Sequence, residues 1–145
     1  MHVSEEGDFF VAKPPGEVVG LLKNPELVAK LIPGVGAVSK SGDEYVGEAA
    51  VKLGHLSGKM AVRFRYAKVS DDGVEVVGRA TGLQTTADFT ISVKAEPKDG
   101  GSLVRWRFEG EARGLIASLA PSIVQSALKK MASEAAQNLA KALGQ

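Results

Sequence analysis

The sequence predicts an α+β fold: a curved antiparallel sheet of about seven strands wrapped around a long C-terminal helix, with two short helices after the first strand. Three observations carry this expectation. Apolar residues recur with helical spacing in the stretch from Pro14 to Ile32, alternate from there to about residue 111, and return to helical spacing to the end of the chain. The alternating runs are joined by short, turn-rich linkers, as neighbouring antiparallel strands require. Each run is apolar on one side only, so the sheet has one face on a core and one in water. A chain of 145 residues is the size of one typical domain, taken here as 1–145.

The elements follow in order. Val3 to Val11 forms an opening strand, weakened in its first half by Gly7. In "KPPGEVVGLL" a proline stands where a missing N–H costs nothing, Glu17 suits the positive helix end, and Val18, Leu21 and Leu22 give an apolar face. "NPEL" starts a second short helix with Asn24 as cap and Pro25 at its first position, and Pro33-Gly34 ends it. Tyr45 to Leu53 and Lys59 to Tyr66 then alternate around "GHLSG", with Met60, Val62, Phe64 and Tyr66 in one row. "SDDGV" marks a tight hairpin before Val74, Val76 and Gly78. Ala87, Phe89, Ile91, Val93 and Ala95 form the next inward row; "PKDGG" turns the chain into Val104, Trp106, Phe108 and Gly110. A single helix from about Leu115 to Leu143 closes the chain, with Ile116, Ala120, Ile123, Ala127, Met131, Ala135 and Ala142 on one face and Asn138 near its centre.

That helix offers mostly alanines, and the facing sheet has gaps at Gly47, Ala49, Gly78, Ala87 and Gly110. Small residues on both sides allow two arrangements, close packing of helix on sheet or a cavity between them.

Composition removes several classes of function. With 18 Lys+Arg against 17 Asp+Glu the net charge is +1, and no basic stripe of a nucleic-acid binder is present. The absence of cysteine excludes disulfides and thiolate metal sites and fits a reducing cytoplasm. "MHVSEEGDFF" lacks the basic and then apolar run of a signal peptide, and no stretch approaches a membrane span of about 20 apolar residues. His2 and His55 are the two histidines, the first terminal and the second in a turn, and no phosphate loop, nucleophile elbow or HExxH occurs. Catalytic, metal and cofactor sites are therefore not expected. Arg63 with Arg65, and Arg105 with Arg107, make polar-face pairs that would form either a positive patch or cross-strand ion pairs with Asp88, Glu109 and Glu111.

"PPGEVVGLLKNPELVAKLIPGV", Pro14 to Val35, resembles the proline-led helix, N/D-P-E start and P-G-V stop of the CoxG-like family of carbon monoxide dehydrogenase proteins. "VKLGHLSGKMAVRF", Val51 to Phe64, resembles its K-hydrophobic-G-x-hydrophobic-S turn, with weaker support from "GRATG" and "GEARG". The family lies within the START and polyketide-cyclase (SRPBCC) superfamily of helix-grip domains. The resemblance implies a binding module that holds a lipid-like or quinone-like molecule in a helix–sheet cavity and serves a molybdenum hydroxylase of the carbon monoxide dehydrogenase type. Many relatives continue into a linker and a hydrophobic C-terminal segment, whereas this sequence ends at Gln145, so any membrane contact is expected to be transient.

On that reading Leu27, Leu31 and Ile32 form an apolar lid hinged at Pro33-Gly34, or else a fixed plug. Met60, Val62, Phe64, Tyr66, Phe89, Trp106 and Phe108 line the cavity from the sheet, and Ile123, Ala127, Met131 and Asn138 from the helix. Trp106 is core or a stacking platform; Asn138 bonds a ligand or another part of the chain. Two other functions compete with the carrier: an adaptor or maturation factor that docks on such an oxidoreductase with a dry core, and a helix-grip cyclase or hydrolase using His55, Tyr66 or Asn138.

Overall fold

The computed structural model describes residues 1–145. The chain runs β1 (His2–Val11), α1 (Pro15–Leu22), α2 (Pro25–Leu31), β2 (Ser39–Ser41), β3 (Glu44–Leu53), β4 (Leu56–Val69), β5 (Gly73–Gly82), β6 (Thr85–Lys98), β7 (Gly101–Arg113), α3 (Leu115–Leu119) and α4 (Pro121–Ala142). The strands form one antiparallel sheet in the order β1-β7-β6-β5-β4-β3-β2, a meander whose first strand returns to pair with its last. The helix-grip arrangement expected from the sequence is present: α4 lies along the sheet against β1, β3 and β7, with α1 and α2 beside its C-terminal end.

Local chemistry explains the boundaries. Asn24 Oδ1 accepts the Glu26 N–H at 3.0 Å and caps α2, and Gly34 turns the chain with φ +78° after it. A β-carbon at Gly34 would fall on the Ala50 carbonyl oxygen, so this position also requires close backbone approach. Ala50 N–H donates to Gly34 O, and Gly36 N–H to Glu48 O, both at 3.0 Å, which lays residues 34–36 along the edge of β3.

The single C-terminal helix predicted from the sequence is two helices. Ala120, at φ −137° and ψ 62°, breaks it before Pro121. Proline has no N–H to continue the ladder and pushes the preceding residue out of the α region. The break resets the helical phase. Val124, Ala132, Leu139 and Ala140 become the buried stripe of α4, while Ile123 turns outward with 41 % of its surface exposed.

The core is filled unevenly. Beneath α1 and the end of α4, Val11, Val18, Leu22, Val104 and Leu143 lie within 2 % of complete burial, each stabilising the fold by roughly 1.5–3 kcal/mol. Beneath α2, Phe64 packs with Val28 and Val76 and stacks on Tyr45 at a centroid distance of 5.4 Å. Toward the start of α4, packing is looser, and there the helix and sheet separate. The glycine gaps expected in the sheet do not create this space. The Phe89 ring lies over Gly78, the Phe108 ring over Gly110, and Val38 covers Gly47. No helix is long and apolar enough to cross a membrane.

Candidate functional site

Between the N-terminal two-thirds of α4 and the strands β3 to β7 lies a cavity of about 90 Å³. Ala49, Val51 and Leu53 wall it from β3, Met60 and Val62 from β4, and Ala80 from β5. Thr85, Ala87, Phe89 and Ile91 follow on β6, and Phe108 on β7. Val124, Ala127, Leu128, Met131, Ala132 and Ala135 form the helical side, and Ile32 and Pro33 close one end. All but Pro33 and Thr85 are hydrophobic, and none is ionisable. The volume is well above that of a single water but below the roughly 300–1,000 Å³ of ordinary ligand pockets. An apolar chain of lipid size exceeds this volume and fits only if the cavity widens.

Of the residues singled out from the sequence, Ile32, Met60, Val62, Phe89, Phe108, Ala127 and Met131 lie together on this cavity. The others lie elsewhere, each for a physical reason. Leu27, Leu31 and Asn138 line a separate depression between α2 and the end of α4. Asn138 Nδ2 donates to Leu31 O at 3.3 Å, supplying a partner to a carbonyl at the C-terminal end of α2. Tyr66 donates its hydroxyl to Leu22 O at 2.7 Å and is occupied beneath α1. Burial, with a lesser contribution from Tyr45, pushes its pKa up to about 12. Phe64 is 1 % exposed and belongs to the packed core under α2. Trp106 lies over Gly7, where a β-carbon would stand 2.8 Å from the ring, and opens onto a groove between β1 and α4. Gly7 is thus the seat of the indole. Ile123 lies at the surface beside Gly54.

Some of the lining was not singled out. Val51, Leu53 and Ile91 stand on the alternating inward rows, and their period was the available signal; Ala49 and Ala87, noted from the sequence as gaps in the sheet face but not as ligand contacts, line the cavity too. Ala80 was missed because β5 continues to Gly82, and Val124, Leu128 and Ala132 because the break at Ala120 rotates α4.

The lid segment is held by named contacts. The Asn138–Leu31 bond ties α2 to α4, the Tyr66–Leu22 bond fixes the turn into α2, and residues 34–36 are pinned to β3. His55, Tyr66 and Asn138 are not brought to a common pocket; His55 is exposed in the β3–β4 turn.

The outer face of the sheet carries most of the charge. Arg63 lies 3.5 Å from Glu44, Arg105 3.6 Å from Glu96, and Arg107 2.7 Å from Glu109, so these arginines form ion pairs rather than a free positive patch. Asp88 sits between Arg79 and Arg113, each at 2.6 Å, and their hydrogen bonds hold its carboxyl below the usual carboxylate range. Glu111 is lowered likewise by the N-terminal ammonium and by His2.

The sequence profile of the CoxG family, described as a subunit of carbon monoxide dehydrogenase, matches residues 7–144. No curated protein is significantly similar in sequence. Among solved structures, a conserved protein from Geobacillus kaustophilus superimposes with a TM-score of 0.79 at 15% identity, over 97% of this chain and 95% of that one. The Zhui aromatase/cyclase from Streptomyces sp. R1128 does so with a TM-score of 0.64 at 12% identity, covering 98% and 94%. Ara h 8.0201 gives 0.63 at 17%, covering the whole of both chains. At these identities the likeness establishes the helix-grip fold alone.

Proposed function

Since the chain belongs to the CoxG family of carbon monoxide dehydrogenase proteins, we propose that residues 1–145 act as one binding domain that carries the apolar tail of a lipid-like or quinone-like molecule for a molybdenum hydroxylase of the carbon monoxide dehydrogenase type. The observation that carries this reading is the wall of the α4–sheet cavity, which offers hydrocarbon on every side and no charged group. A polar headgroup buried there would lose its water without finding partners, at a cost of several kcal/mol, whereas an acyl or isoprenoid chain loses nothing. The tail therefore occupies the cavity and the head stays at the rim. Loading widens the space between α4 and β3, where Ala127 and Met131 are half-buried, and frees the Leu27–Ile32 lid from its Asn138 tie.

The test is titration of the protein with cis-parinaric acid, a fluorescent fatty acid, in competition with a short-chain quinone. Saturable fluorescence, displaced by the quinone and weakened at least tenfold by Ala127→Leu, is expected. Fluorescence that is unsaturable or unaffected by Ala127→Leu overturns the assignment to this cavity.

The small resting volume favours a second reading, in which the chain is a dry adaptor docked on the same kind of oxidoreductase. On that reading Ala127→Leu leaves co-purification with the enzyme unchanged and no apolar molecule is ever retained.

A further inference from the structure

β1 is an edge of the sheet, and its free side has unpaired backbone groups. Ala112 N–H donates to Met1 O at 2.8 Å and the Met1 amine to Ala112 O at 3.0 Å, so these two residues exchange both bonds. The register runs on without a bulge to Val11 opposite Ser102, and Val3, Glu5, Gly7, Phe9 and Val11 therefore bond β7 in the same way. The N–H and C=O groups of Ser4, Glu6 and Asp8 point away from β7, and no other part of the chain meets them. The carbonyl of Phe10, next in this row, is met: Gln145 Nε2 donates to it at 3.3 Å. An unpaired row of this kind is a template for one more strand.

The surroundings of this row define what can enter it. A groove of about 660 Å³ lies between β1 and α4, within the range of ordinary binding sites. Its floor is aromatic: Phe9 and Trp106, on the inward rows of β1 and β7, are half-buried and line it. Along its helical wall Ser133 and Gln137 stand between Lys129 and Lys141, and neither lysine is in an ion pair, whereas Lys130 on the other flank pairs with Glu134. On the outer face of the sheet, Glu6 lies 4.0 Å from Arg107, and Asp8 stands opposite Arg105. From Val104 to Phe108, β7 alternates apolar residues inward with arginines outward, and this is the neighbour that β1 accepts on its closed side. A strand of the same pattern fits the open side, with basic residues outward beside Glu6 and Asp8 and apolar residues inward over the aromatic floor. An acidic strand, or β1 of a second copy, would set acids against acids.

We propose that β1 and the groove beside it form a peptide-binding edge, which takes an extended segment of another protein, alternating apolar and basic residues, as an added strand. Main-chain bonds to Ser4, Glu6 and Asp8 supply affinity, while the acids outside and the aromatic floor inside select the sequence. A strand of about 17 Å is enough to span Ser4 to Asp8. The acids that keep β1 from pairing with its own kind are the ones that choose a basic partner. The groove and the α4–sheet cavity share no lining residue, so the edge stands whether or not the cavity carries a ligand.

The experiment is titration of the full chain with the peptide acetyl-Val-Lys-Val-Lys-Phe-Lys-Val-amide, read by the emission of Trp106, the single tryptophan. A saturable blue shift is expected, and the same peptide with glutamate in place of every lysine should bind roughly tenfold more weakly or not at all. Amide exchange in the complex should slow at Ser4, Glu6 and Asp8, whose N–H groups are otherwise free, and stay unchanged at Glu5 and Gly7, which already bond β7. Asp8→Lys should weaken binding about tenfold. Glu6→Pro should abolish it, because proline removes an N–H that the β7 ladder does not use and obstructs the added strand. Far-ultraviolet circular dichroism of each variant controls for folding, and exchange in the wild type tests the edge even if Glu6→Pro is unstable. No saturable shift, equal binding of the two peptides, or a shift without slowed exchange at Glu6 and Asp8 overturns the proposal. Weaker binding by Ala127→Leu overturns it as well, since the peptide would then occupy the cavity. So does a wild-type dimer, seen by sedimentation, that Glu6→Pro makes monomeric, because the edge is then a contact between copies. None of these readouts needs a cavity ligand, so peptide binding and ligand carriage fail separately.

Discussion

Tyr66 shows how one side chain joins the sheet to the helical cover. It stands at the end of the inward row of β4, half-buried, and donates 2.7 Å to the carbonyl of Leu22 at the close of α1. Burial raises its pKa from 10.0 to about 12, so the neutral hydroxyl is favoured in the folded state. Because the folded value lies above the unfolded one, its contribution to stability is complete below pH 10.0 and is lost as pH rises toward 12. A spectrophotometric titration near 295 nm should show one tyrosine ionising late, and Tyr66→Phe should remove that late step. The same substitution leaves the Leu22 carbonyl without its partner and should lower stability by about 1 kcal/mol in urea unfolding. Asp88 has the opposite sign: Arg79 and Arg113 lower its pKa, so what the triad contributes is present above the unfolded carboxylate value and fades as pH falls through the folded one. At the same scale Gly78 is occupied space, with Phe89 over it and Arg63 O close by. Gly78→Ala should destabilise the fold by about 1–3 kcal/mol through overpacking.

Among the elements, α2 and α4 decide whether the cavity can open. Asn138→Ala removes the side-chain bond to Leu31 O while leaving the hydrophobic contacts of α2. Amide exchange in Pro25–Leu31 should then speed up by roughly tenfold, with the centre of α4 unchanged. Equal protection of α2 before and after would mean that Asn138 is not its latch. The elements also show what the sequence can and cannot disclose. Asn24-Pro25 and Pro33-Gly34 were legible as the limits of α2, because a cap and a positive-φ glycine act within a few residues. "PKDGG" was equally plain, and the structure has positive φ at Asp99 and Gly100. The β5–β6 turn was not: Leu83 and Gln84 both take positive φ without being residues that favour it, and the turn is held by α3 and by the Thr85 hydroxyl bonded to Leu83 O. The break at Pro121 was written in the chain but hidden under a continuous apolar period. Its consequence, the rotated phase of α4, moved Ile123 outward and Val124 and Leu128 onto the cavity. Which gaps a ring would fill depends on side-chain directions across neighbouring strands, and a period cannot carry that information.

The molecule as a whole is packed at one end and hollow toward the other. Core residues lie densely under α1 and the C-terminal turn of α4, while alanines on β3, β5, β6 and α4 keep the helix and sheet apart nearer α3. Such an arrangement costs stability, since a lined void forfeits contacts on both sides. Ala127→Leu should recover part of it, about 0.5–2 kcal/mol in unfolding experiments, while excluding an apolar ligand. Stability and binding moving in opposite directions would identify the void as functional space. The most direct measurement is native mass spectrometry of the protein purified from cells that contain quinones and lipids, followed by solvent extraction and identification of what is released. A stoichiometric quinone or lipid in the wild type, absent from Ala127→Leu, is the predicted result. A wild-type protein that is empty, and remains empty when offered quinones and fatty acids, would contradict the carrier and leave the dry adaptor.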